Sequence, residues 1–286
     1  MKLIKYFFQF LFVIFFFSLF KIFGYKISSG IGGKLFEIIG PIFRSKKLIY
    51  SNIKKAFPSI NAYDTKKLTT LMWNNYGRVF AEYMFIGDFR LEKISSKIEI
   101  VGREILDEIK KSNKPVVFIS GHFSNFELMA MNIEKAGIEL SAIYRPLNNV
   151  FLNKIIERIR KKYICKNQIK KGIGGMRELI KFQNNNCSTA LMIDQRVSEG
   201  KKASFFNLEA YTTTIPAQLA KKFDMPIVPI FIERVHNTNF KISIYKPIKF
   251  LKDDSILDIT NKLNKTLEDM ILKNPGQWIW SHNRWK

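Results

Sequence analysis

The chain has 286 residues, of which 47% are hydrophobic and 14% aromatic, and this composition excludes an intrinsically disordered polymer. Lys and Arg number 47 against 24 Asp and Glu, and the net charge of +23 indicates acidic partners: nucleic acid, an anionic membrane, phosphorylated substrates or an acidic carrier protein. Cys165 and Cys187 form no CxxC pattern and only three histidines are present, so we expect no disulfide framework, no metal site and no metal cofactor.

The N-terminal segment is too apolar for a water-exposed surface. As a helix, residues 4–25 would extend about 33 Å at ~1.5 Å per residue, which is enough to cross a bilayer. No small-residue cleavage site follows, so residues 1–25 are predicted to be an uncleaved single-pass anchor rather than a signal peptide. Basic residues accumulate after this span, which places residues 26–286 as one domain on the cytoplasmic side, against anionic headgroups.

Two segments precede the central motif. Gly30-Ile-Gly-Gly33 lacks a preceding strand, so it is interpreted as a flexible connector or a helix end rather than a dinucleotide fingerprint. From Thr65 to Phe85 the apolar spacing predicts a helix.

The central motif is Gly121-His-Phe-Ser-Asn-Phe-Glu127. It follows an apolar run at 115–120 that is typical of a buried parallel strand, and it opens a helical pattern. Ser124 or Asn125 suits the N-cap position, which would place His122 in the turn and Glu127 in the first helical turn. The carboxylate can then accept one imidazole N–H and leave the other nitrogen as a base. The motif therefore predicts a catalytic pair at the ligand-binding edge of an open α/β sheet.

The same residues allow a second interpretation. Ser124-x-x-Glu127 matches a capping box, in which Glu127 only satisfies backbone donors at the helix start. The residue types alone leave both interpretations open.

Strands and helices alternate through the rest of the chain. Strands are predicted at 139–144, 188–193, 226–235 and 240–245, with a basic helix at 150–163, a loop at 197–214 and a last helix at 255–273. This alternation predicts the α/β class, with a mixed, mostly parallel sheet flanked by helices.

Polar side chains follow three of the predicted strands. His122 and Glu127 follow the first, Arg145 the second, and Asp194 the third. If these strands are neighbours, their polar ends converge at one edge of the sheet. A base beside cations suits the activation of a hydroxyl on a phosphorylated substrate, and the anchor implies that this substrate lies in the bilayer.

Several segments together match a known family in its own order along nearly the whole chain. They are the apolar N-terminus, Gly121–Glu127, Ile143-Tyr-Arg-Pro146 with Asn149, Asp194-Gln195, Phe205-Phe206, Pro226-Ile-Val-Pro229 and Gln277-Trp-Ile-Trp-Ser-His-Asn-Arg284. In these segments the chain resembles the bacterial late acyltransferases of lipid A biosynthesis, the lauroyl/myristoyl acyltransferase family. It departs from the family pattern at Asn207, where the family has glycine, and at Arg196-Val197, where it has small or acidic residues.

The resemblance implies a glycerolipid-acyltransferase-like fold in the bacterial inner membrane. It implies that His122 deprotonates a hydroxyl of a 3-hydroxyacyl chain on a lipid A precursor, with Glu127 orienting the imidazole. The donor would be an acyl-acyl carrier protein, with coenzyme A as the alternative carrier. Arg145 with Arg158, preferred over Arg160, would bind phosphate or the oxyanion, and Asn149, Asp194 and Lys170 complete the implied substrate-binding set.

Two other functions stay open. One is an acyltransferase for another lipid, such as a lysophospholipid, ornithine lipid or glycolipid. The other is a non-enzymatic basic protein that binds anionic membranes. Nucleic acid is not expected as a partner, because no nucleic-acid-binding motif accompanies the charge, and the oligomeric state is left open.

Overall fold

The computed structural model describes residues 2–94 and 97–286. Its α-helices are α1 Lys2–Phe43, α2 Lys46–Ala56, α3 Ala62–Glu82, α4 Ile86–Arg90, α5 Arg103–Ser112, α6 Glu127–Lys135, α7 Val150–Ile159, α8 Ile173–Asn184, α9 Ile215–Phe223 and α10 Ile256–Lys273. Its strands are β1 Ile98–Val101, β2 Val117–Ser120, β3 Leu140–Tyr144, β4 Asn167–Lys170, β5 Ser188–Met192, β6 Lys201–Phe205, β7 Leu208–Thr212, β8 Ile227–Val235 and β9 Asn239–Ile244. Short 3₁₀ turns occupy Tyr83–Phe85 and Pro275–Gln277, and a π-helical turn at Arg160–Ile164 continues α7.

Seven strands form one mixed sheet in the order β1-β9-β8-β2-β5-β3-β4. Every neighbouring pair is parallel except β8 with β9. Strands β2 and β8 are apolar and buried along most of their length, as expected of a sheet covered on both faces by helices. The predicted fold class is confirmed.

The residues at 197–214 differ from prediction. They were expected to form a loop, but β6 and β7 pair as an antiparallel hairpin. Its turn is made by Phe206 and Asn207, which both have positive φ, at 52° and 59°. Two consecutive left-handed residues match the twist of a two-residue hairpin turn, and Asn tolerates that conformation better than most residues.

Among the described residues, α1 is the helix that is long and apolar enough to cross a membrane. Its most apolar window has a mean hydropathy of 2.1 and is only 11% buried. Gly24 interrupts it, because its φ of 74° and ψ of 169° are not helical, so two helical segments meet there. The predicted apolar N-terminal helix is confirmed as a candidate membrane span by its length and composition.

The prediction that the glycines at 30–33 form a connector or a helix end is wrong. They lie inside the second segment of α1, where Gly32 and Gly33 pack against α3. A Cβ on Gly32 would strike the carbonyl oxygen of Gly77 in α3. These glycines therefore allow two helices to approach closely, a packing requirement that a hydrophobicity pattern does not reveal.

Candidate active site

The turn that joins β2 to α6 carries the central motif. Phe123 is fully buried and packs edge-on against Phe231 of β8. Ser124 has a left-handed φ of 42°, held by a 3.0 Å hydrogen bond from its backbone N–H to the Gln277 carbonyl. Such a conformation costs about 1–3 kcal/mol and is maintained by the surrounding structure.

The capping role allowed for Ser124 or Asn125 is wrong. Helix α6 begins at Glu127 without any side-chain cap, and the Ser124 hydroxyl is buried without a hydrogen-bond partner among the described residues. A left-handed Ser124 does not supply the extended entry that an N-cap residue adopts. Asn125 instead donates from Nδ2 to Glu82 over 3.1 Å.

His122 pairs with Asp194, which follows the neighbouring parallel strand β5. Nδ1 of His122 lies 2.8 Å from Oδ1 of Asp194, and the His122 backbone N–H donates to Oδ2 over 2.8 Å. Trp278 Nε1 donates to the same Oδ2 over 2.9 Å, and Asp194 is 0% exposed. Since the ionised carboxylate accepts the Nδ1–H, the tautomer is fixed with Nε2 as the basic atom, and Nε2 receives no hydrogen bond from the described residues.

Glu127 therefore does not hold the imidazole as the sequence predicted. Its Oε1 accepts 2.8 Å and 2.6 Å hydrogen bonds from Nε and Nη2 of Arg160, and a 3.3 Å bond from the Tyr83 hydroxyl. The side chains of Glu127 and Arg160 are only 8% and 16% exposed. The reason for the difference is topological: the β2–β5 pairing brings Asp194 to the imidazole, while the turn after α7 directs Arg160 to the carboxylate.

The charges of this cluster support one another. Burial alone lowers the pKa of His122, but the charge and hydrogen bond of Asp194, with a smaller contribution from Glu127, outweigh burial and raise it. Burial raises the pKa of Asp194, but the His122 charge and the hydrogen bonds that the carboxylate accepts outweigh that and lower it. Burial likewise lowers the pKa of Arg160, yet Glu127 more than compensates and raises it, so the guanidinium stays charged.

A second cluster lies behind the turn. Glu82 is fully buried at the end of α3 and pairs with both Nη atoms of Arg234 in β8. Ser29 of α1 donates to Glu82 over 2.7 Å, so with Asn125 this carboxylate joins α1, α3, β8 and the motif turn.

The other predicted site residues lie further out. Arg145 is exposed after β3, and Lys170 pairs with Glu157 over 3.3 Å at the surface. Asn149 is buried, caps the start of α7 and donates to the Tyr6 carbonyl over 2.8 Å. Arg158 lines a basic surface depression together with Lys154, Lys161 and Lys162. The structure thus places Arg160, rather than Arg158, beside the motif.

Two residues with no predicted role complete the surroundings of His122. Tyr83, in a short 3₁₀ turn, donates to Glu127, and Trp278, in the C-terminal tail, donates to Asp194. The neighbouring His282 accepts the Arg196 backbone N–H at Nε2 over 2.9 Å, and burial lowers its pKa to about 4, so it stays neutral. No spacing signal in the chain marks Tyr83, and the tail aromatics are indistinguishable from core residues by type.

The arrangement suits hydroxyl activation. The ring of His122 packs edge-on against Phe126 at 4.8 Å, and 24% of its side chain is exposed. A base with a fixed tautomer, an open Nε2 and a buried cation nearby can accept a proton from a hydroxyl while the cation stabilises an oxyanion.

Comparisons with known proteins point to one acyltransferase family. The family profile described as bacterial lipid A biosynthesis acyltransferase matches residues 1–286. The Escherichia coli K12 lipid A biosynthesis lauroyltransferase is 21% identical over 272 residues, covering 92% of this chain and 85% of that protein. The E. coli K12 lipid A biosynthesis myristoyltransferase is 20% identical over 255 residues, covering 87% and 76%.

A third relative is matched over a shorter stretch. The Shigella flexneri lipid A biosynthesis acyltransferase 2 is 22% identical over 196 residues, which cover 66% of this chain and 61% of that protein. This alignment spans less than two thirds of that relative.

Proposed function

This chain belongs to the bacterial lipid A biosynthesis acyltransferase family, and we propose that it transfers a fatty acyl group from acyl-acyl carrier protein to a hydroxyacyl chain of a lipid A precursor. The observation that carries the proposal is the His122–Asp194 pair with its open Nε2, beside the Glu127–Arg160 ion pair.

The proposed step is a direct O-acylation. Nε2 of His122 accepts the proton of the acceptor hydroxyl as its oxygen attacks the thioester carbonyl carbon of the donor. The carbonyl oxygen takes up the negative charge, the new C–O bond forms and the C–S bond breaks. The proton on His122 then passes to the departing thiolate, which leaves as a thiol, so that the imidazole is neutral again.

Three residues have distinct proposed roles around that base. Asp194 orients the imidazole and stabilises its cation, as a buried carboxylate does in hydrolase triads. Glu127 adds negative charge near His122 and holds Arg160, whose guanidinium stabilises the oxyanion or a phosphate of the acceptor. We expect near-complete loss of transfer in both His122→Ala and Glu127→Ala.

The proposed partners are anionic, because the protein is strongly basic. A phosphorylated glycolipid acceptor and the acidic acyl carrier protein both suit a basic surface, and the exposed Arg145, Arg158 and Lys170 are proposed to contact their anionic groups. Asn149 is proposed to act through the placement of α7, which it caps. No cofactor is needed for this step.

We propose that α1 attaches the protein to the bacterial inner membrane and that residues 26–286 lie on its cytoplasmic side. Basic residues such as Lys26, Lys34 and Arg44, which follow the apolar segment, support this orientation.

The experiment is an acceptor competition with the purified full chain. Lauroyl-, myristoyl- and palmitoyl-acyl carrier proteins, with the matching coenzyme A esters, are offered to equal amounts of tetra-acylated lipid A precursor and lysophospholipid, and the products are read by mass spectrometry. We expect the precursor to gain an acyl group from the carrier-protein donor, and no gain with His122→Ala. Exclusive acylation of the lysophospholipid, or transfer unaffected by His122→Ala, would contradict the proposal.

A further inference from the structure

The second segment of α1 exposes an isoleucine stripe, defined as Ile27, Ile31, Ile38 and Ile42. These side chains are 58%, 40%, 75% and 81% exposed. Their spacing of 4, 7 and 4 residues places them on one narrow face of the helix. Moving isoleucine side chains out of water is favourable, so an exposed stripe of four isoleucines calls for an apolar cover.

The stripe cannot rotate inward, because the opposite face of the segment is packed. Ser29, Gly32, Gly33 and Gly40 are buried against α3, where Gly40 lies on the Trp73 ring. Ser29 also donates to the buried Glu82. The packing therefore holds the isoleucines outward.

The flanking charges identify what covers the stripe. Lys34 lies among the isoleucines, where it pairs with Glu37 over 3.1 Å and is still 77% exposed, and Lys26 and Arg44 are exposed at the borders of the stripe. Apolar residues framed by lysine and arginine suit the boundary between lipid acyl chains and anionic headgroups, where long basic side chains reach the phosphates. A second copy of this chain would bring the same lysines face to face across a two-fold axis.

The apolar surface also continues on both sides of Gly24. Phe8, Phe12 and Phe15 in the first segment are 54–65% exposed, and Phe7 contacts Phe151 at the start of α7. The stripe thus extends a surface that is already apolar enough to enter a bilayer.

We propose that Tyr25–Phe43 lies in the plane of the membrane surface, with the isoleucine stripe inserted at the headgroup boundary of an anionic leaflet. Gly24 permits the change of direction between the two segments of α1. Because this segment packs on α3, and Glu82 of α3 holds Asn125 of the motif turn, the membrane surface fixes the height of His122 above the lipids. This placement does not depend on the reaction catalysed.

The test uses spin labels on single cysteines in the full-length protein, in nanodiscs of phosphatidylethanolamine and phosphatidylglycerol. Ile38→Cys and Ile42→Cys report on the stripe, and Leu251→Cys, also 75% exposed, is the matched control on the body. Cys165 and Cys187 are buried and remain in every variant, so labelling of the unsubstituted protein gives the background. Collision rates with oxygen, which concentrates in lipid, are compared with those of a water-soluble nickel chelate.

We expect labels at 38 and 42 to be several-fold more accessible to oxygen than to nickel, relative to the label at 251. Nickel accessibility at 38 and 42 equal to that at 251 would overturn the proposal. Protection from both reagents together with spin–spin broadening would also overturn it, because that result identifies a second copy as the cover. Neither measurement requires acyl transfer, so a failed activity assay leaves this test intact.

Discussion

Two buried charge clusters hold the motif turn, and they differ in what they leave open. In the first, Asp194 is fully buried but its partner His122 keeps 24% of its side chain exposed and Nε2 without a protein partner among the described residues. In the second, the side chains of Glu82 and Arg234 are 0% and 7% exposed, and the carboxylate accepts hydrogen bonds from Arg234, Ser29 and Asn125.

This difference in exposure assigns the first cluster to the reaction and the second to the stability of the fold. A charge pair that is closed on every side has no atom with which to meet a substrate, so its contribution is to position elements of the fold. A pair that leaves one basic atom accessible can take a proton. Substitutions in the first cluster should therefore reduce turnover, and substitutions in the second should reduce stability.

The largest expected effect is at His122. His122→Ala should lower the rate of acyl transfer by roughly 10³- to 10⁴-fold, because the general base is lost. The thermal unfolding midpoint by circular dichroism should fall less than that of Glu82→Gln, because Asp194 keeps its hydrogen bonds from the backbone N–H of residue 122 and from Trp278. Retention of a tenth of the wild-type rate would show that another group is the base.

Asp194→Asn comes next, with a loss of about 10²- to 10⁴-fold in transfer. His122 must be neutral to accept a proton, so wild-type transfer should fall as the pH drops below its raised pKa. Without the Asp194 charge that pKa falls, so the acid limb of kcat/KM should move to lower pH. An unchanged acid limb would show that Asp194 does not raise the pKa of the catalytic base.

The second cluster is tested by Glu82→Gln, which leaves Arg234 buried and unpaired. The free energy of unfolding, measured with denaturant, should fall by about 3–5 kcal/mol, while transfer per folded molecule changes less than tenfold. The matched control is Lys202→Ala in the exposed Lys202–Glu209 pair, which should leave the unfolding midpoint unchanged. Equal unfolding curves for Glu82→Gln and wild type would contradict the conclusion that the second cluster stabilises the fold.

The smallest expected effect is at the hairpin turn between β6 and β7, which belongs to neither cluster. Asn207→Val should cost about 1–2 kcal/mol in unfolding free energy, because a β-branched residue resists the φ of 59°. Asn207→Gly, the residue found in the family pattern, should change stability by less than that and leave transfer unaltered. Destabilisation by Gly comparable to that by Val would show that the Asn side chain itself is required.

The sequence predicted that His122 and Asp194 lie at the same edge of the sheet, but it did not predict that they pair with each other. His122 and Asp194 each come after an apolar run, and strands β2, β5 and β3 are neighbours as the strand-end argument required. Their direct contact joins residues 72 positions apart and depends on β2–β5 register, which no local pattern encodes. Local proximity favoured Glu127 instead, because it is the carboxylate nearest to His122 in sequence.

Arg160 illustrates a second limit. Arg158 and Arg160 lie about 200° apart around the helix axis, at ~100° per residue, and which of them faces Glu127 depends on how the end of α7 packs against α6. The glycines of α1 illustrate a third, since their meaning depends on α3, which packs against them.

The most direct test of the central claim is the titration of His122 itself. The chain has three histidines, so ring carbon labelling gives three resonances, and His122→Ala assigns the one of interest. Its pKa should lie above the usual value of about 6.5 in the wild type. It should fall most in Asp194→Asn and less in Glu127→Gln, because Asp194 both bonds the ring and carries the nearer charge. A larger fall in Glu127→Gln, with Asp194→Asn unchanged, would contradict the assignment of Asp194 as the partner that holds the base.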